Sequence, residues 1–458
     1  MLKYLKVLTR HAFFLIVFVS SWSANAQGTF FFSDDVSERI NFEFINNLII
    51  IPLEINNVTL SFLLDTGVTK PILFNLTERD SLDLKDSRAF YLRGLGGDGQ
   101  LKALKSRYNR FKLGNAVSTN QDLYVVYDTS IDFTSRLGVL VHGIIGYDIF
   151  KDFVVEINYK SKFIRLHKPN SFRPRSSKKW KTLPINIHRR KPYLDAIVTV
   201  DTLKKPTKLL IDTGSSDALW LFENKEQGLI PKKDLVFMDY LGKGLSGSIY
   251  GKRSRVNEFK LSDFNLKDVN VAFPDSLSID VTKVYKERSG SIGSGILKRF
   301  NLFFDYTNEK LHLKKNGFFR ERFTYNNSGI VLEHNGSMFV KEEIKVPVLG
   351  SYNSKDSRDA VQINLSMNYN ISLKPTYKIV EVRPTSNAYK TGLRVGDVLI
   401  DINSKQAYNF KLAEINKILH GKTGKSIRLK IQRDGEIMVF KFKLDNVFKK
   451  VSPHIESS

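Results

Sequence analysis

The chain has 458 residues and not one cysteine, which excludes disulfides, a lipid-modified cysteine and any thiol chemistry. Long apolar runs are equally scarce: beyond residue 26 no stretch is long enough to cross a bilayer as a helix. There is no His-Glu-x-x-His, and the eight histidines are scattered, so no metal site is expected. His142 has no partner ligand at metal spacing and reads as a structural or surface residue. A serine hydrolase has nothing to stand on without a Gly-x-Ser-x-Gly elbow. Acidic residues are in deficit, 47 against 71 Lys and Arg, for a formal charge of +24. The cations are spread along the chain, with short clusters such as Arg173 to Lys181. They read as a solvated basic surface; without a recognition motif, nucleic acid is not an expected partner.

Hydrophobic residues make up 42% of the chain, a globular proportion, and the length suits about three domains. Residues 1–26 have the form of a secretory signal. Lys3, Lys6 and Arg10 are followed by the apolar Phe13 to Val19 and by Ala24-Asn25-Ala26 as a small-residue cleavage site. The expected location is therefore the periplasm or the exterior, with membrane anchoring if the signal stays uncleaved. An exported chain without disulfides must be held by its cores, which favours a bacterial envelope or secreted protein.

Against these absences stands one repeated feature. Asp-Thr-Gly occurs at Asp65-Thr66-Gly67 and again at Asp212-Thr213-Gly214, each behind an apolar run, Leu63-Leu64 and Leu209-Leu210-Ile211. The two aspartates are 147 positions apart, and so are Gly143-Ile144-Ile145-Gly146 and Gly290-Ser291-Ile292-Gly293. The same spacing matches Ile149 with Ile296, Phe153 with Phe300 and Tyr159 with Tyr306. The recurrence of neighbours along with the motif implies a duplicated unit. Both copies read as mainly β: Leu48 to Leu53 and Val58 to Leu64 in the first, Tyr193 to Val200 and Thr207 to Ile211 in the second, the latter pair joined by a Lys204-Lys205-Pro206 turn. Pro169 to Lys179 reads as an exposed linker. Phe30-Phe31-Phe32 near the start is open between an edge strand and a cover over the cleft.

Two carboxylates on matched strand-to-loop turns can share one proton, because like charges at that distance do not both ionise. One then takes a proton from water while the other donates to a carbonyl, with no cofactor. On these motifs the chain resembles a two-lobed aspartic protease of the pepsin and retropepsin clan, over about residues 40–316. The resemblance implies duplicated β-barrel lobes with a central cleft, lobe 1 at 28–172 and lobe 2 at 180–316. It implies Asp65 and Asp212 as the catalytic pair, with Thr66 and Thr213 bracing the two turns, Gly67 and Gly214 beside them, and Ser215 able to hydrogen-bond Asp212. Val68 stands where a matching Ser or Thr would be, so the two carboxylates are expected to be inequivalent. Gly94, Gly96 and Gly97 form a candidate flap, with Gly244-Leu245-Ser246-Gly247 as its counterpart. Trp220 and Phe222 read most simply as core.

The patterning changes after Lys315. A strand (Tyr377 to Val382), a short helix ending at Gly392, a strand (Asp397 to Ile402), a helix (Phe410 to His420) and a hairpin around Asp434-Gly435 suggest a compact α+β unit. Its expected core includes Val380, Leu393, Val398, Leu399, Ile402, Leu412, Ile415, Ile418, Leu419, Ile427, Leu429 and Ile431. Val382 to Leu399 resembles a PDZ domain of the kind attached to bacterial envelope proteases, over 320–446, with a polar insertion at about 341–375. The resemblance implies binding of a peptide C-terminus, with Ser328-Gly329-Ile330-Val331 as the carboxylate loop. The reading is an exported aspartic endopeptidase with a PDZ module, acting as a monomer on peptide or protein substrates. The alternative is a non-catalytic protein that captures peptides in the same cleft and groove; a surface adhesin rests on composition alone.

Overall fold

The computed structural model describes residues 28–32, 38–76, 81–92, 101–127, 131, 133–174, 177–244, 247–276, 285–346 and 366–448. The apolar runs ahead of each Asp-Thr-Gly are paired strands. Leu48–Ile55 and Val58–Leu64 form a hairpin turned by Asn56 and Asn57, both at positive φ, which asparagine tolerates better than most residues. In the second copy Lys191–Val200 pairs with Leu203–Asp212, and Tyr193 opposes Leu210 as Ile50 opposes Leu63. The turn here differs from the expected one. It falls at Asp201 and Thr202, and Lys204 to Pro206 lie inside the strand. The strand's other edge pairs with Arg288–Gly293 only from Lys208 onward, so Pro206 sits on a free edge where its missing N–H costs no ladder bond.

Each copy builds one sheet with the same strand order. In the first, Ala116–Val126, Ile72–Leu73, Gly143–Ile145, Val58–Leu64, Leu48–Ile55 and Leu101–Leu113 are successive neighbours, and the last of these also pairs with the first, so the pairings form a ring. The second repeats this with Phe264–Pro274, Leu219–Leu221, Arg288–Gly293, Leu203–Asp212, Lys191–Val200 and Gly247–Leu261. At the chain's start Phe31–Phe32 pairs with Ala116–Val126 as an edge strand, and Phe30 is buried in the core beside Phe111 and Phe153.

A third, six-stranded sheet joins the copies. Val154–Asn158 lies against Phe300–Asp305, with Val155 opposite Phe304 and Ile157 opposite Leu302. Leu302 and Phe304 lie 147 residues beyond Val155 and Ile157, so this strand pairs with its own copy about a pseudo-two-fold axis. One apolar core runs through both copies, from Phe62, Phe111 and Phe150 to Phe259, Phe300 and Phe304.

The C-terminal unit has its own core. Its first two strands, Ile330–Val346 and Ser366–Val382, are 17 residues each and pair antiparallel, with register shifts after Val331 and after His334. The expected insertion is thus, where described, an outward extension of this hairpin; 347–365 lie outside the described residues. The core differs in register from the expectation. Tyr377 and Ile379 point inward while Val380 is half-buried, because side chains alternate along a strand. Val398 and Ile418 are likewise half-buried rather than central.

This unit touches both copies. Arg136 Nε, on the helix Thr134–Leu137, is 3.1 Å from Glu333 Oε1. The Tyr250 hydroxyl donates to Glu381 Oε1 at 2.7 Å. Gly138, at φ +70°, lies so close to Leu412 that a Cβ there would come within 3.0 Å of the leucine Cβ.

Phe304→Ala, at the strand shared by both copies, is expected to destabilise them together by about 3–5 kcal/mol. Urea unfolding followed by tryptophan fluorescence and by circular dichroism will give coincident transitions for residues 28–316; a copy that unfolds separately would contradict the shared core.

Candidate active site

The parallel strands Val58–Leu64 and Gly143–Ile145, and their copies Leu203–Asp212 and Arg288–Gly293, end at the same level and set down the two Asp-Thr-Gly turns face to face. Four hydrogen bonds tie the turns. The Thr66 N–H donates to Thr213 Oγ1 at 3.0 Å, and the Thr213 N–H donates to Thr66 Oγ1 at 3.0 Å. Each hydroxyl then donates to a backbone carbonyl of the opposite lead-in strand, Thr66 to Ile211 at 2.6 Å and Thr213 to Leu64 at 2.8 Å. Both threonines are fully buried, so every polar group at this crossing is used.

The glycines are needed for close approach. A Cβ on Gly214 would fall 2.2 Å from Asp65 Cγ, and one on Gly67 would fall 3.4 Å from Asp212 Cγ. The Asp65 carboxyl thus reaches over Gly214 of the other copy, while beside Gly67 the nearest group to such a Cβ is Asp65 Oδ1 at 3.0 Å. Gly146, the end of the paired apolar element, backs the first turn: a Cβ there would strike the Asp65 carbonyl at 1.9 Å. Gly293 backs the second turn: a Cβ there would come within 2.4 Å of the Asp217 carbonyl oxygen.

The Asp65 and Asp212 carboxyls are within hydrogen-bonding reach of one another. Asp65 is held far above the usual carboxylate range, first by burial and then by the charge of Asp212, against the opposing pull of the Gly67 N–H at 2.6 Å and of Lys191. Asp212 is also raised by burial, but Arg288, Lys191, the bond from Asp65 and the Gly214 N–H all favour its ionised form. Both carboxyls are thus raised by burial and act as one coupled pair, with Arg288 favouring the charge on Asp212.

Ser215 lines the cleft, and its N–H lies 3.4 Å from the Asp212 carbonyl; among the described residues its hydroxyl makes no hydrogen bond to the Asp212 carboxylate. Arg288 favours the ionised form of Asp212 alone, whereas Lys191 favours that of both aspartates; the sequence reading singled out neither cation. Trp220 and Phe222 both line the cleft, and Trp220 also packs against the apolar cluster of Leu241, Ile249 and Ala272. The Trp220 indole donates to Asp217 Oδ2 at 2.5 Å, and Asp217 also binds Arg253 at 2.7 Å. His142 is buried, its Nδ1 accepting the Ser61 N–H at 2.9 Å. The candidate flap at Gly94, Gly96 and Gly97 lies outside the described residues. Of its counterpart Gly244-Leu245-Ser246-Gly247, Leu245 and Ser246 also lie outside the described residues; the flanking strands Phe237–Gly244 and Gly247–Leu261 pair with each other, and Gly242, Lys243 and Gly244 line the cleft. Among the described residues no group of three or more His, Cys, Asp or Glu is arranged to hold a metal.

The cleft continues past the aspartates. A single cavity of about 2090 Å³ runs from Asp65 and Asp212 to Ile330, Val331 and Leu332 and to the helix Leu412–Leu419 of the C-terminal unit. That exceeds the usual 300–1,000 Å³ of a small-molecule site and suits an extended chain. In the candidate carboxylate loop the Ser328 and Gly329 N–H groups both donate to Asn326 Oδ1, and the Ile330 N–H donates to Ser328 Oγ at 3.1 Å. A peptide carboxylate entering this loop must displace those side-chain oxygens.

Comparison with protein families agrees with this architecture. A family model described as aspartyl protease matches residues 51–149, and a PDZ-domain model matches 378–433. The chain thus carries an aspartyl protease domain and a C-terminal PDZ domain. The protease match covers the first copy, including Asp65 and Gly146; the geometry supplies the second. No curated protein matches the chain.

Thr213→Val keeps the side-chain volume but leaves the Thr66 N–H and the Leu64 carbonyl unpaired, at about 1–3 kcal/mol for each buried group. Chemical denaturation should register a loss in this range, with Thr66→Val losing a similar amount.

Proposed function

We propose that the protein is an exported aspartic endopeptidase that hydrolyses peptide bonds with a water held between Asp65 and Asp212. The observation that carries this reading is the crossed pair of buried carboxyls, both raised by burial, with Asp65 seated against Gly214 of the other copy; two such carboxyls are suited to share one proton.

The chemistry follows from their inequivalence. Asp212, favoured as carboxylate, takes a proton from the water as its oxygen attacks the scissile carbonyl carbon. Asp65, holding the proton, gives it to the carbonyl oxygen, and a neutral tetrahedral diol forms. Collapse breaks the C–N bond: Asp212 passes its proton to the leaving nitrogen, and a diol hydroxyl returns one to Asp65. The starting protonation state is restored without a covalent intermediate.

The PDZ groove, open to the same cavity, receives part of a peptide chain and so raises its local concentration at the aspartates. Both aspartates come from one chain, which supports action as a monomer. Export rests on the form of residues 1–26. A purely peptide-capturing protein has no use for two close carboxyls, whose burial costs stability unless they share a proton.

Peptide-library cleavage by the mature chain tests this reading. Asp65→Asn and Asp212→Asn are each expected to abolish cleavage while leaving the circular dichroism unchanged. Activity needs one proton on the pair. It is therefore lost as pH falls and Asp212 protonates, and lost again as pH rises through the raised value of Asp65, about 8. A profile with no fall on the alkaline side, or activity in either variant, would contradict the shared-proton mechanism.

A further inference from the structure

The two copies build the cleft walls from matched positions, and the match exposes a difference in charge. In the first copy Ile50 opposes Leu63, and Leu48 lies two residues earlier on the same strand face. In the second, Tyr193 opposes Leu210, and the residue two earlier is Lys191. Leu63 pairs with Ile144, whereas Leu210 pairs with Ser291. Val141 has Arg288 as its counterpart at the 147-residue spacing. At these matched positions the first wall is apolar, with Leu48, Leu63, Ile72 and Ile144 facing the cavity. The opposite wall carries Lys191, Arg288 and Ser291.

Apart from the aspartates, these cations have few partners. Among the described residues Lys191 makes no hydrogen bond or ion pair within contact distance. Arg288 spends only Nε, on the Gly290 carbonyl at 2.9 Å, while its guanidinium lies 5.1 Å from the Phe222 ring centroid. The first wall's cations are already engaged: Lys70 lies over the Phe90 and Tyr124 rings, and Arg136 binds Glu333. An aspartate pair with one proton carries one negative charge against the two cations facing it. One positive charge is left over in a half-buried site, and the free fork of Arg288 suits a carboxylate.

Resting on the protease reading above, we infer that Lys191 and Arg288 form a specificity subsite for an acidic substrate side chain. The favoured bond has an Asp or Glu beside it on the second copy's side and an apolar residue on the first copy's side. Matched peptides that differ only in Glu or Gln next to an apolar residue, in both orders, test this. The parent is expected to cut the better-placed Glu peptide with kcat/KM about tenfold above its Gln partner. Lys191→Leu and Arg288→Leu bring that ratio toward one, chiefly through KM; Lys191→Arg keeps it, and Lys191→Glu favours a Lys peptide instead. Thermal unfolding checks that each variant is folded.

Equal cleavage of Glu and Gln peptides would overturn the subsite and leave the protease reading intact. So would Leu variants that slow both peptides equally while shifting the pH profile, since the cations would then act on the aspartates alone. If the parent cuts nothing, the protease reading fails and calorimetric binding of the same peptides decides the subsite. A preference for Glu that depends on Lys191 supports it, and equal binding overturns it.

Discussion

The structure depends on the crossing of Thr66 and Thr213. Two turns from distant parts of the chain meet there, and each threonine supplies both donors that the other half needs, in a buried position with no water to substitute. Because the bonds are reciprocal, neither turn is satisfied alone. That reciprocity brings two carboxyls into one buried space, where their mutual repulsion would push them apart without a rigid frame. The frame is the six-stranded sheet behind the crossing, in which a strand pairs with its own copy about the same pseudo-two-fold axis. The aspartates are therefore held by long-range pairing and not by a loop.

Symmetry explains the presence of the pair, and departures from symmetry explain its chemistry. An ideal duplicate would give two equivalent aspartates and a proton shared evenly. Here Lys191 and Arg288 occupy the positions held by Leu48 and Val141 in the first copy; Lys191 acts on both aspartates, and Arg288 favours the charge on Asp212. The PDZ domain adds a second asymmetry. It touches lobe 1 through Arg136 and lobe 2 through Tyr250, and its first strand borders the cavity that contains the aspartates.

Much of this was legible in the sequence, because a duplicated chain prints its own alignment. The fixed spacing between Asp65 and Asp212, with Ile149, Phe153 and Tyr159 carried along, revealed two like units and the pair between them. The hairpin at Asp434-Gly435 was equally clear: both residues take positive φ, as the turn requires. Other features were not legible because tertiary context decided them. Lys204-Lys205-Pro206 has the composition of a turn, yet the free edge of its strand accepts the proline. Val380 and Ile379 are both β-branched neighbours, and only the partner strand determines which one points inward. Phe222 is large and apolar, as core residues are, but it borders the cleft, and Trp220 packs against a small apolar cluster while bordering the cleft as well. Lys191 and Arg288 lay within reach of sequence reasoning. Aligning the strands before each motif by their hairpins sets Lys191 beside Leu48, and a cation facing leucine across a duplicate is the signal.

The central claim is that Asp65 and Asp212 act as one titrating unit with a single proton at neutral pH, residing on Asp65. Carbon-13 NMR of the aspartate side-chain carboxyls, assigned through Asp65→Asn and Asp212→Asn, measures this directly. The account predicts two well-separated titration steps, with the Asp65 signal remaining that of a carboxylic acid through neutral pH while Asp212 is ionised. Two independent titrations near the ordinary aspartate value, about 3.9, would contradict it.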